Sequence, residues 1–195
     1  MSVRRSSWQS VAAALIGCAT ACAALSGCGL IGGPGAVGAD VPDTITVTSP
    51  VFRDQGSIPE RYTCFGAGVS PPVHWSGVPT GTRALALVVD DAGAPVKPYV
   101  YWLVFDINAQ TSEFQEGSLP PGALQAQASN GRARYNPPCP RAGSHEYRFT
   151  VYAMSQPVSL PAGANLMKVW SAVAQQAIAR GRLTGTATAP PGHTS

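Results

Sequence analysis

The chain has 195 residues, with 13 Lys and Arg against 10 Asp and Glu, for a formal charge of +3. Two of those bases, Arg4 and Arg5, lie in a segment expected to be removed, which leaves a nearly neutral chain and excludes a basic stripe for nucleic acid. Charged residues make up only 12%, against 21 Gly and 18 Pro, which fits one loop-rich β domain with a real core better than a helical bundle.

Residues 1–28 carry an Arg pair, then an Ala-rich apolar stretch, then Cys28. That order is the layout of an export signal, and the apolar part is too short to predict a permanent membrane span. Leu25-Ser26-Gly27-Cys28 resembles a bacterial lipobox, which implies cleavage before Cys28 and a lipid on its thiol. An ordinary secretory signal or an uncleaved anchor is the alternative. Leu15-Ile16-Gly17-Cys18 fits the same pattern loosely, but cutting there leaves a short apolar core and an apolar new terminus. Residues 29–43 are Gly, Ala and Pro with almost no charge, a flexible tether that lets a domain stand off a membrane. The predicted folded domain is 44–189, and 190–195 is a tail.

Within the domain, Thr44 to Thr48 alternates with period two and predicts an edge strand. Asp54-Gln55-Gly56 and Ile58-Pro59 are turn material, and Val73 to Trp75 is a short strand after Pro71-Pro72. Two apolar runs follow, Leu85 to Val89 and Tyr99 to Ile107, around a loop from Asp90 to Pro98. Each run has the composition of a buried strand, and a core strand ending in acids places them at a sheet rim. Asn108 to Asn130 is polar and irregular, with one weak strand near Gln125 to Ala128. Gly131 to Ser144 is a proline-rich loop of a length usually tied to function. His145 to Met154 alternates cleanly, with Tyr147, Phe149 and Val151 on one face. Asn165 caps a helix whose apolar residues run from Leu166 to Ile178 at helical spacing, Gly181 ends it, and Arg182 to Ala189 is the last strand. Many strands and one late helix predict a mainly β sandwich with a peripheral C-terminal helix, not a βαβ fold.

With Cys18 and Cys22 in the signal and Cys28 assigned to lipid, Cys64 and Cys139 remain. In an oxidising compartment a disulfide between them is the expectation, and two separate buried thiols are the alternative. No CxxC or His/Cys cluster predicts a metal.

Several short motifs fall in a familiar order: Tyr62-Thr63-Cys64, Ser70-Pro71-Pro72-Val73-His74-Trp75, Leu87 to Asp91 with Ala94-Pro95, Tyr135 with Pro138-Cys139-Pro140, and Gly143 to Phe149. Over residues 44–189 the chain resembles the phosphatidylethanolamine-binding proteins, on the bacterial Raf kinase inhibitor-like branch. The resemblance implies a β-sandwich of that family's kind, with a small pocket at one end for phosphate-like head groups. It implies binding or inhibition rather than catalysis, and no cofactor. It also implies ligand-binding roles for Asp91, Pro95, Tyr101, Pro138 and His145. Two departures stand out. The family's Asp-Pro-Asp-x-Pro loop is here Asp91-Ala92-Gly93-Ala94-Pro95, and its pocket His before an aromatic is here Tyr101 before Trp102. Tyr101 can still donate one hydrogen bond but does not charge near neutral pH.

The residues themselves leave alternatives open. Asp91 either contacts ligand or shapes its turn through loop amides. Asp90 is expected to be a solvated or strand-end acid, and His74 structural or exposed. Tyr101 and Trp102 alternate along a strand, so only one should face the pocket, by position Tyr101. Arg132 and Arg134 either attract anions or are solvated loop charges. No GxSxG elbow places a serine near His145, and adjacent Asp90 and Asp91 would point to opposite faces, which argues against a hydrolase. The expected function is a lipid-anchored, exported, non-catalytic module for a small anionic or phosphate-bearing ligand, with its domain on the outer side of the cell membrane. A protein-interaction or inhibitor module with a degenerate pocket is the alternative.

Overall fold

The computed structural model describes residues 41–91, 93 and 99–192. Cys28, Pro95 and His193 lie outside the described residues.

Two open sheets face each other. The larger has six strands in the order β2 (Gly56–Ser57), β9 (Ala177–Thr188), β8 (Ser144–Met154), β4 (Ala84–Asp91), β5 (Tyr99–Asn108) and β7 (Leu124–Gln125). The smaller has three, β1 (Thr46–Thr48), β3 (Val73–Ser76) and β6 (Glu113–Phe114). All pairings are antiparallel except β2 with β9. Among the described residues, one α-helix, α1 (Leu166–Gln176), packs on the outer face of the larger sheet.

Strand β4 explains its own sequence. Every residue from Ala84 to Asp91 is buried. Leu85, Leu87 and Val89 point into the sandwich, against Trp75, Trp102, Phe149 and Val151. Ala84, Ala86 and Val88 point the other way, into a second core with Val169 and Val173 of α1. A strand covered on both faces has no reason to alternate, hence the unbroken apolar run. Each large side chain so buried contributes about 1.5–3 kcal/mol.

Helix α1 starts as expected: the Asn165 side chain accepts a hydrogen bond from the Met167 amide at 3.0 Å. It ends earlier. The chain passes directly into β9 at Ala177, so Ala177, Ile178 and Gly181 are strand residues. Gly181 is not a helix stop. It sits on the inner face of β9, where a Cβ would lie 1.8 Å from the Ile45 carbonyl oxygen, so only glycine lets the Ile45 backbone approach.

Other expectations are corrected as well. Gly56, read as turn material, opens strand β2, and β6 lies in a stretch read as irregular. Residues assigned to the tether join the domain: the Arg180 amide donates to the Pro42 carbonyl at 2.9 Å, and Asp43 accepts from Arg180 Nε at 2.7 Å.

Candidate ligand-binding site

Because β4, β5, β8 and β9 run antiparallel, the end of β4, the starts of β5 and β8 and the end of β9 share one rim of the large sheet. Asp91, Tyr101 and His145 all lie there.

Asp91 is not a loop residue. It closes β4 in register with Tyr147 and is only 3% exposed. Its Oδ2 lies 2.8 Å from His145 Nδ1, and its Oδ1 accepts the Gly93 amide at 2.8 Å. One carboxylate therefore shapes the turn and orients the imidazole. With Nδ1–H donated to Asp91, Nε2 of the ring is left for a ligand, and it becomes a donor when the ring is protonated.

Asp90, the neighbouring acid, faces the opposite side, as strand alternation requires. It is neither solvated nor exposed. Burial there is matched by a two-pronged ion pair with Arg148, one prong Arg148 Nε to Asp90 Oδ1 at 2.9 Å. The paired carboxylate holds the Arg148 guanidinium above its ordinary value. This pair belongs to the scaffold.

Tyr101 reaches the rim through an irregularity. Val89 pairs with Trp102, but the next residue, Asp90, pairs with Val100, so Tyr101 is an extra residue in β5. A β-bulge of this kind breaks alternation and re-aims side chains beside sites. Strict alternation therefore does not hold here: Trp102 is in the sandwich core, and Tyr101 packs against the same core. Trp102 stacks near Phe114 and Tyr135 and donates to Gln125 Oε1 at 2.7 Å, so its role is packing. The Tyr101 ring meets Tyr99 at 4.8 Å and Tyr147 edge-on at 5.2 Å. Burial pushes the Tyr101 phenol up, a hydrogen bond with the Tyr147 hydroxyl opposes the rise, and the Asp91 charge adds to it.

Tyr147 was expected only as an inward strand residue. It is fully buried, and its hydroxyl makes no hydrogen bond of good geometry among the described residues. The Tyr101 hydroxyl and the Cys139 backbone are its polar neighbours, and burial pushes its phenol far above the ordinary range. A buried hydroxyl without a partner costs about 1–3 kcal/mol and is uncommon away from sites. Period two along β8 puts Tyr147 on the face of His145, the signal that could have singled it out.

The proline-rich loop closes the rim. Cys139 is joined to Cys64 by a disulfide with Cα atoms 5.2 Å apart, spanning 75 residues. In the chain-entropy account such a link contributes about 4 kcal/mol. The Cys64 amide donates to the buried Pro138 carbonyl at 3.0 Å, the Asn136 amide to the Tyr101 carbonyl at 3.1 Å, and the Tyr135 hydroxyl to the Tyr62 carbonyl at 2.9 Å. Pro138 therefore holds the loop through its carbonyl. Arg132 and Arg134 are exposed on this loop, and His74 is exposed on β3 with Nε2 3.5 Å from Glu113.

A cleft of about 180 Å³ opens alongside, lined by Ser57, Glu60, Thr63, Phe65, Ala187 and Thr188 among others, but not by Asp91, Tyr101 or His145. Ala187 pairs with His145, so the two places adjoin across β8 and β9. No group of three metal-ligating side chains occurs among the described residues.

Residues 48–188 match the family model described as "Phosphatidylethanolamine-binding protein". The chain belongs to that family. A relative from Mycobacterium tuberculosis named "Putative lipoprotein LppC" is 41% identical over 76% of this chain and 74% of its own length. A UPF0098 protein of Methanothermobacter thermautotrophicus is 37% identical over 69% of this chain and 92% of its own. The crystal structure of a phosphatidylethanolamine-binding protein homolog from Chlamydia trachomatis superposes with a TM-score of 0.71 at 30% identity, covering 76% of this chain and 99% of that one. The sandwich with a late helix is thus the phosphatidylethanolamine-binding fold. Among the described residues, no helix is long and apolar enough to cross a membrane.

Proposed function

We propose that this protein is an exported lipoprotein, anchored at the cell membrane through Cys28, whose outward-facing domain carries a non-catalytic pocket for a small anionic or phosphate-bearing ligand. One observation carries the pocket: the His145 imidazole, held by the buried Asp91 carboxylate, stands on the same strand face as the buried Tyr147 phenol, with the Tyr101 phenol beside it. Such groups fit a ligand oxyanion better than water, since they are fixed before the ligand arrives. The anchor is supported by Leu25-Ser26-Gly27-Cys28 and by the name of the mycobacterial relative. The catalytic reading gains little, because among the described residues the His145 side chain is hydrogen-bonded to Asp91 and to no nucleophile.

Titration with phosphate or phosphoethanolamine, followed by NMR, tests the pocket. The expected result is saturable shifts of His145 and Tyr101 signals, and their absence at millimolar ligand overturns it. For the anchor, Cys28→Ala should abolish incorporation of an alkyne-labelled fatty acid and release the protein from membranes.

A second reading, a protein-interaction module, is favoured by α1. Met167 is 56% exposed there, beside Val158 and Leu160 in a shallow apolar groove.

A further inference from the structure

Resting on the anchor reading above, we propose that the face of the larger sheet that carries α1 lies against the membrane, with Met167 and Trp170 at head-group level and Lys168 and Arg182 turned to anionic lipid. The place where the chain enters the fold points to this face. Asp43 pairs with the Arg180 side chain, and Arg180 stands opposite Tyr152, a residue of the core beneath α1. Residues opposite each other in an antiparallel pair share a face, so Asp43 meets the domain on the side that α1 covers. Arg180 is also only four residues past the helix end at Gln176. Residues 29–40 separate Cys28 from the first described residue. Fully stretched they reach roughly 40 Å, and as a Gly-rich coil about 20 Å, which holds this side of the domain near the bilayer.

Charge agrees with that orientation. From Tyr147 to Ser195 the sequence has no Asp or Glu, and its bases are Arg148, Lys168, Arg180 and Arg182. Acids that reach this side are engaged: Asp90 with Arg148, Asp43 with Arg180, and Asp106 with the Val158 amide. Glu146 also points this way, but from the far end of β8. Lys168 and Arg182 are exposed, and Met167 stands above a shallow groove with Val158 and Leu160. An apolar helix flank edged by bases is how helices in a membrane interface are built, and the half-buried Trp170 beside it suits the same zone. A shallow groove is small for a stable protein interface. Tethering through Cys28 keeps the bilayer at high effective concentration, so a small contact suffices there.

The test uses the processed, lipidated protein in vesicles of phosphatidylcholine and brominated phosphatidylglycerol. Of the four tryptophans, Trp8 leaves with the signal and Trp75 and Trp102 are buried in the sandwich, so quenching by bromine reports on Trp170. The expected result is a loss of roughly a third of the emission, one tryptophan's share of three, which disappears in Trp170→Phe. Met167→Asp and Lys168→Glu should each weaken the quenching roughly twofold or more, with pelleting on the vesicles and the thermal midpoint unchanged. Pelleting without quenching, or unchanged quenching in both variants, overturns the docking and leaves the anchor standing. So do crosslinks in intact cells from a photoreactive methionine at position 167 to protein instead of lipid. Failure of the wild-type protein to pellet overturns the anchor and the docking with it.

Discussion

Asp91 reaches His145 diagonally. Its register partner on β8 is Tyr147, and the histidine lies two residues earlier on the same face, yet the carboxylate and Nδ1 meet at 2.8 Å. Diagonal neighbours in a sheet are within reach of side chains of this size. The strand pairing thus sets three things at once: which acid is buried, which imidazole it holds and which phenol stands beside them.

Replacing that acid tests the arrangement. Asp91→Asn keeps the volume but turns a charged acceptor into a neutral amide. A hydrogen bond to a charged group contributes about 1.5–3 kcal/mol, and urea unfolding should show a loss of that order. His145 ring signals should also move, since the ring loses the acceptor that fixes its tautomer, and phosphate binding should weaken. Unchanged stability together with unchanged His145 signals would refute the positioning role.

The other acid of the pair predicts something different. Asp90 and Arg148 are both largely buried, with side chains 5% and 18% exposed. Asp90→Asn strands a guanidinium in the outer core, and breaking such a pair costs about 3–5 kcal/mol. Because Arg148 keeps some exposure, the lower end of that range is expected. The double change of Asp90→Asn with Arg148→Met should recover most of the loss. Ligand binding should be untouched in any variant that folds, which separates Asp90 from Asp91 experimentally.

How much of this could be read from sequence varies by element. Strand β8 was legible because its first half alternates, with buried Tyr147 and Phe149 between less buried Glu146 and Arg148, although from Phe149 onward both faces are buried. Strand β4 was legible as an apolar run ending in acids, but the burial of those acids was not, because their partners, Arg148 and His145, lie more than fifty positions away in sequence. The bulge at Tyr101 leaves no local sign at all: it exists in the pairing with β4, not in β5 alone. At the end of α1, Ala177 and Ile178 suit a helix face and a strand face equally, and packing against β8 decides. Asp91 and His145 were singled out mainly through family resemblance, and Tyr147 was not singled out because an aromatic on an inward face passes for core.

Gly181 gives the helix end a mutational test. Read as a helix stop, it would accept Ala or Asn at modest cost. Read as the point where β9 passes the Ile45 backbone, it accepts nothing larger, since a Cβ would lie 1.8 Å from the carbonyl oxygen and 2.5 Å from its carbon. Backbone there cannot give way as a side chain would, so Gly181→Ala should cost about 3 kcal/mol or more, or prevent folding. A loss under about 1 kcal/mol in urea unfolding would contradict the close approach.

Buried tyrosines set the alkaline limit of stability. The Tyr152 phenol is pushed up to about 12, chiefly by burial, with the Asp90 charge adding. Burial pushes Tyr135 and Tyr147 higher still. In the unfolded chain these phenols ionise near about pH 10. Below that value both states hold the protons, and the full contribution to stability is present. Above it the unfolded state releases protons that the folded state retains, so stability falls as pH rises from about 10 toward the folded values. The slope is about 1.4 kcal/mol per pH unit for each tyrosine still protonated in the fold. Urea unfolding between roughly pH 9 and 11 should show this decline, and the folded protein should show less phenolate absorbance than the unfolded chain at the same pH. Tyr152→Phe removes one proton from the balance and should make the decline shallower by about one tyrosine's share. An equal slope in that variant would mean that Tyr152 ionises alike in both states, which its burial at 3% exposure opposes.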